Sequence, residues 1–273
     1  MAPVAQPGPS RDAELPRLLL EETSNSRTTQ QRSLGYQPDQ NLAGAEHSYD
    51  IVNNLDTGPI TLPTKEAADN LTKEYFQCSN LGMPLLHEPT FRQKLDLIYN
   101  MPRTVDLATT YRSPESKIAL FFVLEAFAVA LLSMQKRNPS RIPSWLADRH
   151  HTLAIRALLA AGLPHDVEGV QAFLLVGQFY YLHPTRWSVW NTVGAAIRLA
   201  VELGLHQDPP PGKLDALSLD TRRRTFWVAY SMERNISIAK AIPSCLSDGA
   251  VDVEVGTILT CSRSETYTIL VSE

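Results

Sequence analysis

Ile118-Ala119-Leu120-Phe121-Phe122-Val123-Leu124-Glu125-Ala126-Phe127-Ala128-Val129-Ala130-Leu131-Leu132-Ser133-Met134 is the most apolar run in the chain, and the choice between a membrane span and a core helix rests on it. Its seventeen residues fall short of the roughly 20 that a helix needs to cross a bilayer. Glu125 stands near its centre, where a carboxylate costs roughly 2.5–3.5 kcal/mol on insertion. The run therefore reads as the buried core helix of a helical protein. A carboxylate enclosed there needs a buried partner, either a backbone donor or an arginine of a neighbouring helix. Arg156 and Arg198 are the candidates.

The flanking sequence repeats the helical pattern on both sides. Upstream, Thr64 can cap a helix over Lys65 to Cys78, with Glu66 in its first turn and Leu71, Tyr75 and Cys78 on one face. Gly82 and Pro84 break it, and a second helix opens at Pro89 or Thr90 and ends before Pro102. Downstream, helices are expected at Ser144 to Ala160, Glu168 to Tyr181, Trp187 to Leu203 and Asp220 to Lys240. The gap from Gln207 to Leu219, with Pro209-Pro210-Pro211-Gly212, is expected as an extended surface loop. No strand alternation appears before Val251. The expected fold class is all-α, a multi-helix bundle.

The ends read differently. Residues 1–60 hold four basic residues against eight acidic ones and are rich in Gln, Ser, Thr, Asn and Pro, which marks a disordered polar linker. Leu18 to Leu20, followed by Glu21 and Glu22, is its one short apolar run and a candidate partner-binding helix. Residues 61–255 form the helical domain. Residues 256–273, rich in Thr, Ser, Val and Ile, read as an irregular, non-conforming tail.

Composition excludes several functions. Of 273 residues, 44% are hydrophobic and 20% charged, enough for a sizeable core. With 25 Lys+Arg against 29 Asp+Glu the net charge is −4, which argues against holding nucleic acid by basicity alone. Cys78, Cys245 and Cys261 are too few and too scattered for a disulfide scaffold or a four-thiolate metal site, and a reducing compartment is expected. Met1 to Ser10 lacks the features of a secretory leader. No phosphate-binding loop, dinucleotide fingerprint or nucleophile elbow occurs. The histidines form no i, i+4 pair; His150 and His151 are adjacent and point about 100° apart on a helix. No catalytic, cofactor-binding or metal-binding residue is nominated.

Two stretches carry more information. In Trp190 to His206, an apolar stripe of Trp190, Val193, Ile197, Ala200 and Val201 runs beside Gly194, Ala195 and Ala196, whose small size suits a close helix crossing. Arg198 and Glu202 are spaced to pair. Gly204 sits where a left-handed C-cap belongs, with Leu205 folding back. In Asp220 to Arg234, Asp220 reads as an N-cap before Arg222, Arg223 and Arg224. Arg223, Trp227, Tyr230 and Arg234 share a face, where a cation can stack on aromatic rings. The three arginines could contact phosphate or DNA. The favoured alternative has at least one buried against carboxylates and the others solvated. If this face packs on the Trp190 to Leu203 helix, Glu202 would pair with Arg234 and Trp227 would fill the space left by Gly194 and Ala195.

These residues, with Leu62-Pro63-Thr64-Lys65-Glu66-Ala67-Ala68-Asp69, Tyr75-Phe76 and Leu85-Leu86-His87-Glu88-Pro89-Thr90-Phe91, carry a resemblance. The chain resembles the fungal-specific transcription factor domain, the helical middle homology region of fungal zinc binuclear cluster regulators. The matching positions are His87, Pro89, Phe91, Trp190, Gly194, Arg198, Gly204, His206, Arg223, Arg224, Phe226, Trp227, Tyr230 and Arg234, read as structural. The ordered set covers about residues 62–255. Two departures stand out. The family's DNA-reading module needs six cysteines for two zinc ions, which three cysteines cannot supply. Ala241-Ile242-Pro243 replaces the family's usual Gly-Arg-Pro, so the turn there is expected to differ.

The resemblance implies a nuclear transcription regulator of a metabolic or secondary-metabolite gene cluster, with residues 61–255 as a truncated regulatory domain. It would act through other transcription factors or co-regulators, or as a homodimer. DNA would be touched only indirectly or weakly, without a membrane and without a cofactor in this chain. The alternative is a helical small-ligand-binding protein, or an enzyme without a recognisable catalytic motif.

Overall fold

The computed structural model describes residues 60–107, 109–138, 142–183 and 189–255. The chain divides into two units, Met1–Pro59 and Ile60–Glu273, and the described residues all belong to the second. The expected linker, its Leu18 to Leu20 run, the tail at 256–273 and Trp187 lie outside the described residues.

Seven α-helices of ten residues or more make up the fold among the described residues. Helix α1, Lys65–Glu74, is capped as expected, with Ala67 N–H donating to Thr64 Oγ1 at 3.2 Å. It continues through a π-helical turn, Tyr75–Ser79, that carries the buried Tyr75 inward, where its hydroxyl donates to Gln178 Oε1 at 3.2 Å. Helix α2, Glu88–Tyr99, follows a His87 N-cap, with Pro89 in its first turn. The proline's missing N–H is harmless there. Before α2, Ile60–Thr61 pairs antiparallel with Thr104–Val105. A pair of two-residue strands leaves no alternation to read in sequence.

Helix α3, Pro114–Arg137, is the core. Every residue from Ile118 to Leu132 is buried, so the helix is apolar on all sides because neighbours surround it. It is long and apolar enough to cross a membrane, yet the protein's own helices cover it. Phe121, Phe122 and Phe127 are fully enclosed, each contributing roughly 1.5–3 kcal/mol of burial. Helices α1, α2, α4 (Ser144–Ala161) and α5 (Val167–Leu182) pack on it. A second layer follows, in which α6 (Val189–Glu202) lies on α5, and α7 (Ala216–Lys240) lies on both α5 and α6.

The close crossing in that layer is at Gly177 of α5. A Cβ there would come 3.1 Å from Val193 Cγ2 and 3.3 Å from Met232 Cε, so the three helices meet over the missing side chain. The expected crossing at Gly194 does not occur: a Cβ on Gly194 would meet only its own helix's Arg198 guanidinium, at 3.2 Å. The stripe of α6 also shifts. Val193, Ala196, Ile197, Leu199 and Ala200 are buried, whereas Trp190 at its start is 38% exposed.

Helix α6 ends as expected. Gly204 is left-handed at φ 68°, Leu205 N–H donates to Ala200 O at 2.8 Å, and Gly204 N–H donates to Val201 O at 3.0 Å. That double closure brings Leu205 into the core. Helix α7 begins earlier than expected. Its cap is Asp215, whose Oδ1 accepts from Leu217 N–H and Ser218 N–H at 3.0 Å each. Asp220 is not the cap; it lies inside the helix, buried beside Arg224. The extended loop is correspondingly shorter than expected.

Candidate functional site

Helix α7 carries the densest set of polar and aromatic positions, and its inner and outer faces do different work. Inward, Phe226 is fully buried, and Arg224 and Asp220, 6% and 7% exposed, approach at 2.7 Å. Thr225 Oγ1 receives the Gln171 amide at 3.3 Å, and the same amide donates to Leu85 O at 3.1 Å. Helix α5 thereby ties α7 to the segment that opens α2. His87 closes that segment locally through Thr90 Oγ1, 2.9 Å from Nδ1. Burial, and then the nearby Arg224 charge, pushes the His87 imidazole below its ordinary value. Phe91 is buried against Tyr75 and Phe76.

Outward, α7 grips a strap formed by Cys245 to Glu254. Cys245 N–H donates to the buried Glu233 carboxylate at 2.7 Å, and Ser237 donates to the same oxygen at 2.9 Å. Arg234 donates to Leu246 O at 2.5 Å, bridges to Asp248, and lies 4.7 Å from the Tyr230 ring centre. The expected cation–aromatic stack is therefore present. Tyr230 hydroxyl donates to Asp248 at 2.7 Å, and Trp227 Nε1 donates to Glu254 O at 3.0 Å. Arg223 forks onto Asp208, at 2.9 and 2.5 Å, and reaches the Glu254 carboxylate at 2.9 Å. That fork holds the Asp208 carboxyl below the usual carboxylate range. The strap is also laced to the loop after α6, with Asp208 N–H donating to Asp252 O and Asp252 N–H to His206 O, both at 2.9 Å.

The face of Arg223, Trp227, Tyr230 and Arg234 is thus real but packs on the strap, contrary to the expected docking on α6. Arg234 pairs with Asp248 and not with Glu202, which lies 3.4 Å from His165. Trp227 is half-buried under the strap and does not approach Gly194. Arg222 donates to Gly204 O at 3.0 Å. Arg224 is buried beside the Asp220 carboxylate, the pair that was expected, and Arg222 and Arg223 donate to internal acceptors where solvation was expected. Arg198 is exposed on α6. The carboxylates that complete this site, Asp208 of the loop after α6 and Asp248 and Glu254 of the strap, had no signal in sequence beyond their acidity.

Glu125 is buried, but its partner is neither Arg156 nor Arg198, both of which lie on exposed faces. His151 Nδ1 sits 2.9 and 3.0 Å from the two carboxylate oxygens. The imidazole stacks on Phe179 at 4.0 Å between ring centres and 8° between planes. The overlooked signal was periodicity: Ala147, His151, Ala154 and Leu158 share the buried face of α4, from which Arg156 is rotated away.

A third feature is a cavity of about 470 Å³ between the start of α1, α3 and α4. Leu62, Leu71, Leu124, Leu131, Met134 and Leu153 supply most of its wall, and Arg149, His150 and Asn70 are polar positions on it. Among the described residues, no group of three or more His, Cys, Asp or Glu side chains is placed to hold a metal ion.

The chain is a member of the fungal specific transcription factor domain family, whose sequence pattern matches residues 72–267. It is 28% identical to the positive regulator of purine utilization of Emericella nidulans, over 75% of this chain and 24% of that protein. It is 27% identical to pyrimidine pathway regulatory protein 1 of Saccharomyces cerevisiae, over 71% of this chain and 22% of that protein. It is likewise 28% identical to an ABC-transporter-regulating transcription factor of Aspergillus oryzae, over 71% and 21%. The chain spans about a quarter or less of the length of these relatives. No solved structure matches it.

Proposed function

We propose that this chain is the regulatory part of a fungal transcription regulator, working in the nucleus through contacts with other regulators or a second copy of itself. Family membership over residues 72–267 is the observation that carries the reading. The pairing of Arg223 with Asp208 and the burial of Arg224 beside Asp220 support a role other than gripping DNA, since both charges already face a carboxylate within the chain. The net charge of −4 points the same way. Relatives named for purine utilization and the pyrimidine pathway support control of metabolic genes, and a biosynthetic gene cluster is the target class we favour.

The test joins the full chain to an unrelated DNA-reading module and follows a reporter gene in a fungal host, with gel shifts of the unfused chain beside it. The expected outcome is a changed reporter level with no sequence-specific duplex binding by the chain itself. An unchanged reporter, or tight sequence-specific binding by the unfused chain, overturns the reading.

A further inference from the structure

We propose that the cavity between α1, α3 and α4 is a binding site for a small organic acid with an apolar body, whose acid group is held by Arg149. The cavity volume of about 470 Å³ lies within the usual range for small-molecule sites, roughly 300–1,000 Å³. Its wall is built from Leu62, Leu71, Leu124, Leu131 and Met134, which suits an aliphatic or aromatic body and offers it few polar partners.

The polar groups on this wall set the ligand's chemistry. Arg149 is half-exposed at the edge and makes no ion pair or hydrogen bond with another described residue, unlike the three arginines of α7. A guanidinium beside apolar surface, with no carboxylate of its own, complements an anionic head on an apolar ligand. His150 is the second observation. It is only 8% exposed, and Nδ1 meets Leu146 O at 2.8 Å, so that nitrogen donates and the neutral ring presents Nε2 as an acceptor. Nε2 has no partner among the described residues, and the ring forms part of the cavity wall. Burial pushes the His150 imidazole below its ordinary value; the Leu146 carbonyl opposes this and the adjacent Arg149 charge adds to it. Nε2 keeps some accessible surface, so it can offer a ligand hydroxyl an acceptor in place of solvent.

The proposal concerns binding, so it stands or falls independently of the transcriptional reading. Calorimetric titration of the full chain with decanoate and, separately, with decan-1-ol tests it. Decanoate is expected to saturate one site and to bind about tenfold tighter than the alcohol, the difference of one charge-assisted contact. Arg149→Met, which keeps an apolar stem at a half-exposed position, is expected to erase that preference while leaving the alcohol's affinity unchanged. Ala67→Phe, which projects bulk from α1 into the cavity, is expected to abolish both, with the helical signal and melting midpoint retained as a check on folding. Equal affinity for acid and alcohol, an Arg149→Met variant that still prefers the acid, or no saturable binding overturns the proposal.

Discussion

Glu125 and His151 form a buried pair, with the imidazole Nδ1 within hydrogen-bond reach of both carboxylate oxygens. Taking a carboxylate into an apolar core is expensive, and removing one partner of such a pair leaves the other stranded. His151→Ala is expected to destabilise the protein by about 3–5 kcal/mol. The double variant Glu125→Leu/His151→Phe removes both polar groups at similar volume and is expected to lose less than the single change. Chemical denaturation of the three proteins decides this, and a double variant weaker than His151→Ala would show that the pair contributes more than mutual satisfaction. Ala241 is strained in a different way. The expectation that losing the family's glycine alters the turn is wrong: Ala241 adopts the glycine's conformation, at φ 53°, with its N–H on Ile238 O and Ile242 N–H on Ser237 O. A Cβ in the left-handed region costs about 1 kcal/mol. Ala241→Gly should therefore raise stability by about 0.5–1 kcal/mol and the melting midpoint by about 1–3 °C. A midpoint that falls would show that the strain is relieved elsewhere.

At the scale of elements, α7 clasps the strap through the motif positions Arg223, Trp227, Tyr230 and Arg234. The strap is held by several half-exposed contacts, each contributing roughly 0–1 kcal/mol, and only their convergence on Arg223, Trp227, Tyr230 and Arg234 makes it persist. Asp208 gives this clasp a pH dependence. Its carboxyl titrates below the ordinary value because of the Arg223 fork. Its contribution is therefore fully present above the unfolded value of about 3.9 and is lost as pH falls through the lower folded value. Asp208→Asn is expected to reduce stability by about 1 kcal/mol near neutral pH. The gap to the unaltered protein should narrow as pH falls below the unfolded value and on through the lower folded one. Denaturation midpoints of both proteins across that range provide the check, and a gap independent of pH would remove Asp208 from the clasp.

For the whole molecule, local sequence was sufficient wherever the cause was local. The seven helices, the Thr64 cap, the Gly204 closure and the placement of Ile118 to Met134 at the centre follow from periodicity, capping chemistry and burial, which act over a few residues. The family could also be read, because the motif positions His87, Phe91, Gly204, Arg224 and Phe226 hold caps and core contacts set by their own helices. What tertiary structure alone decided is which side chains meet across helices. The crossing falls at Gly177 and not Gly194, and Glu125 finds His151 on α4. Arg234 turns to Asp248 on the strap, and Arg149 is left beside an apolar cavity. Helical spacing gives the direction of a side chain about its own axis but says nothing of the neighbour's rotation and offset. Those are settled by packing the whole core at once, when every buried charge must find a partner and every void a side chain.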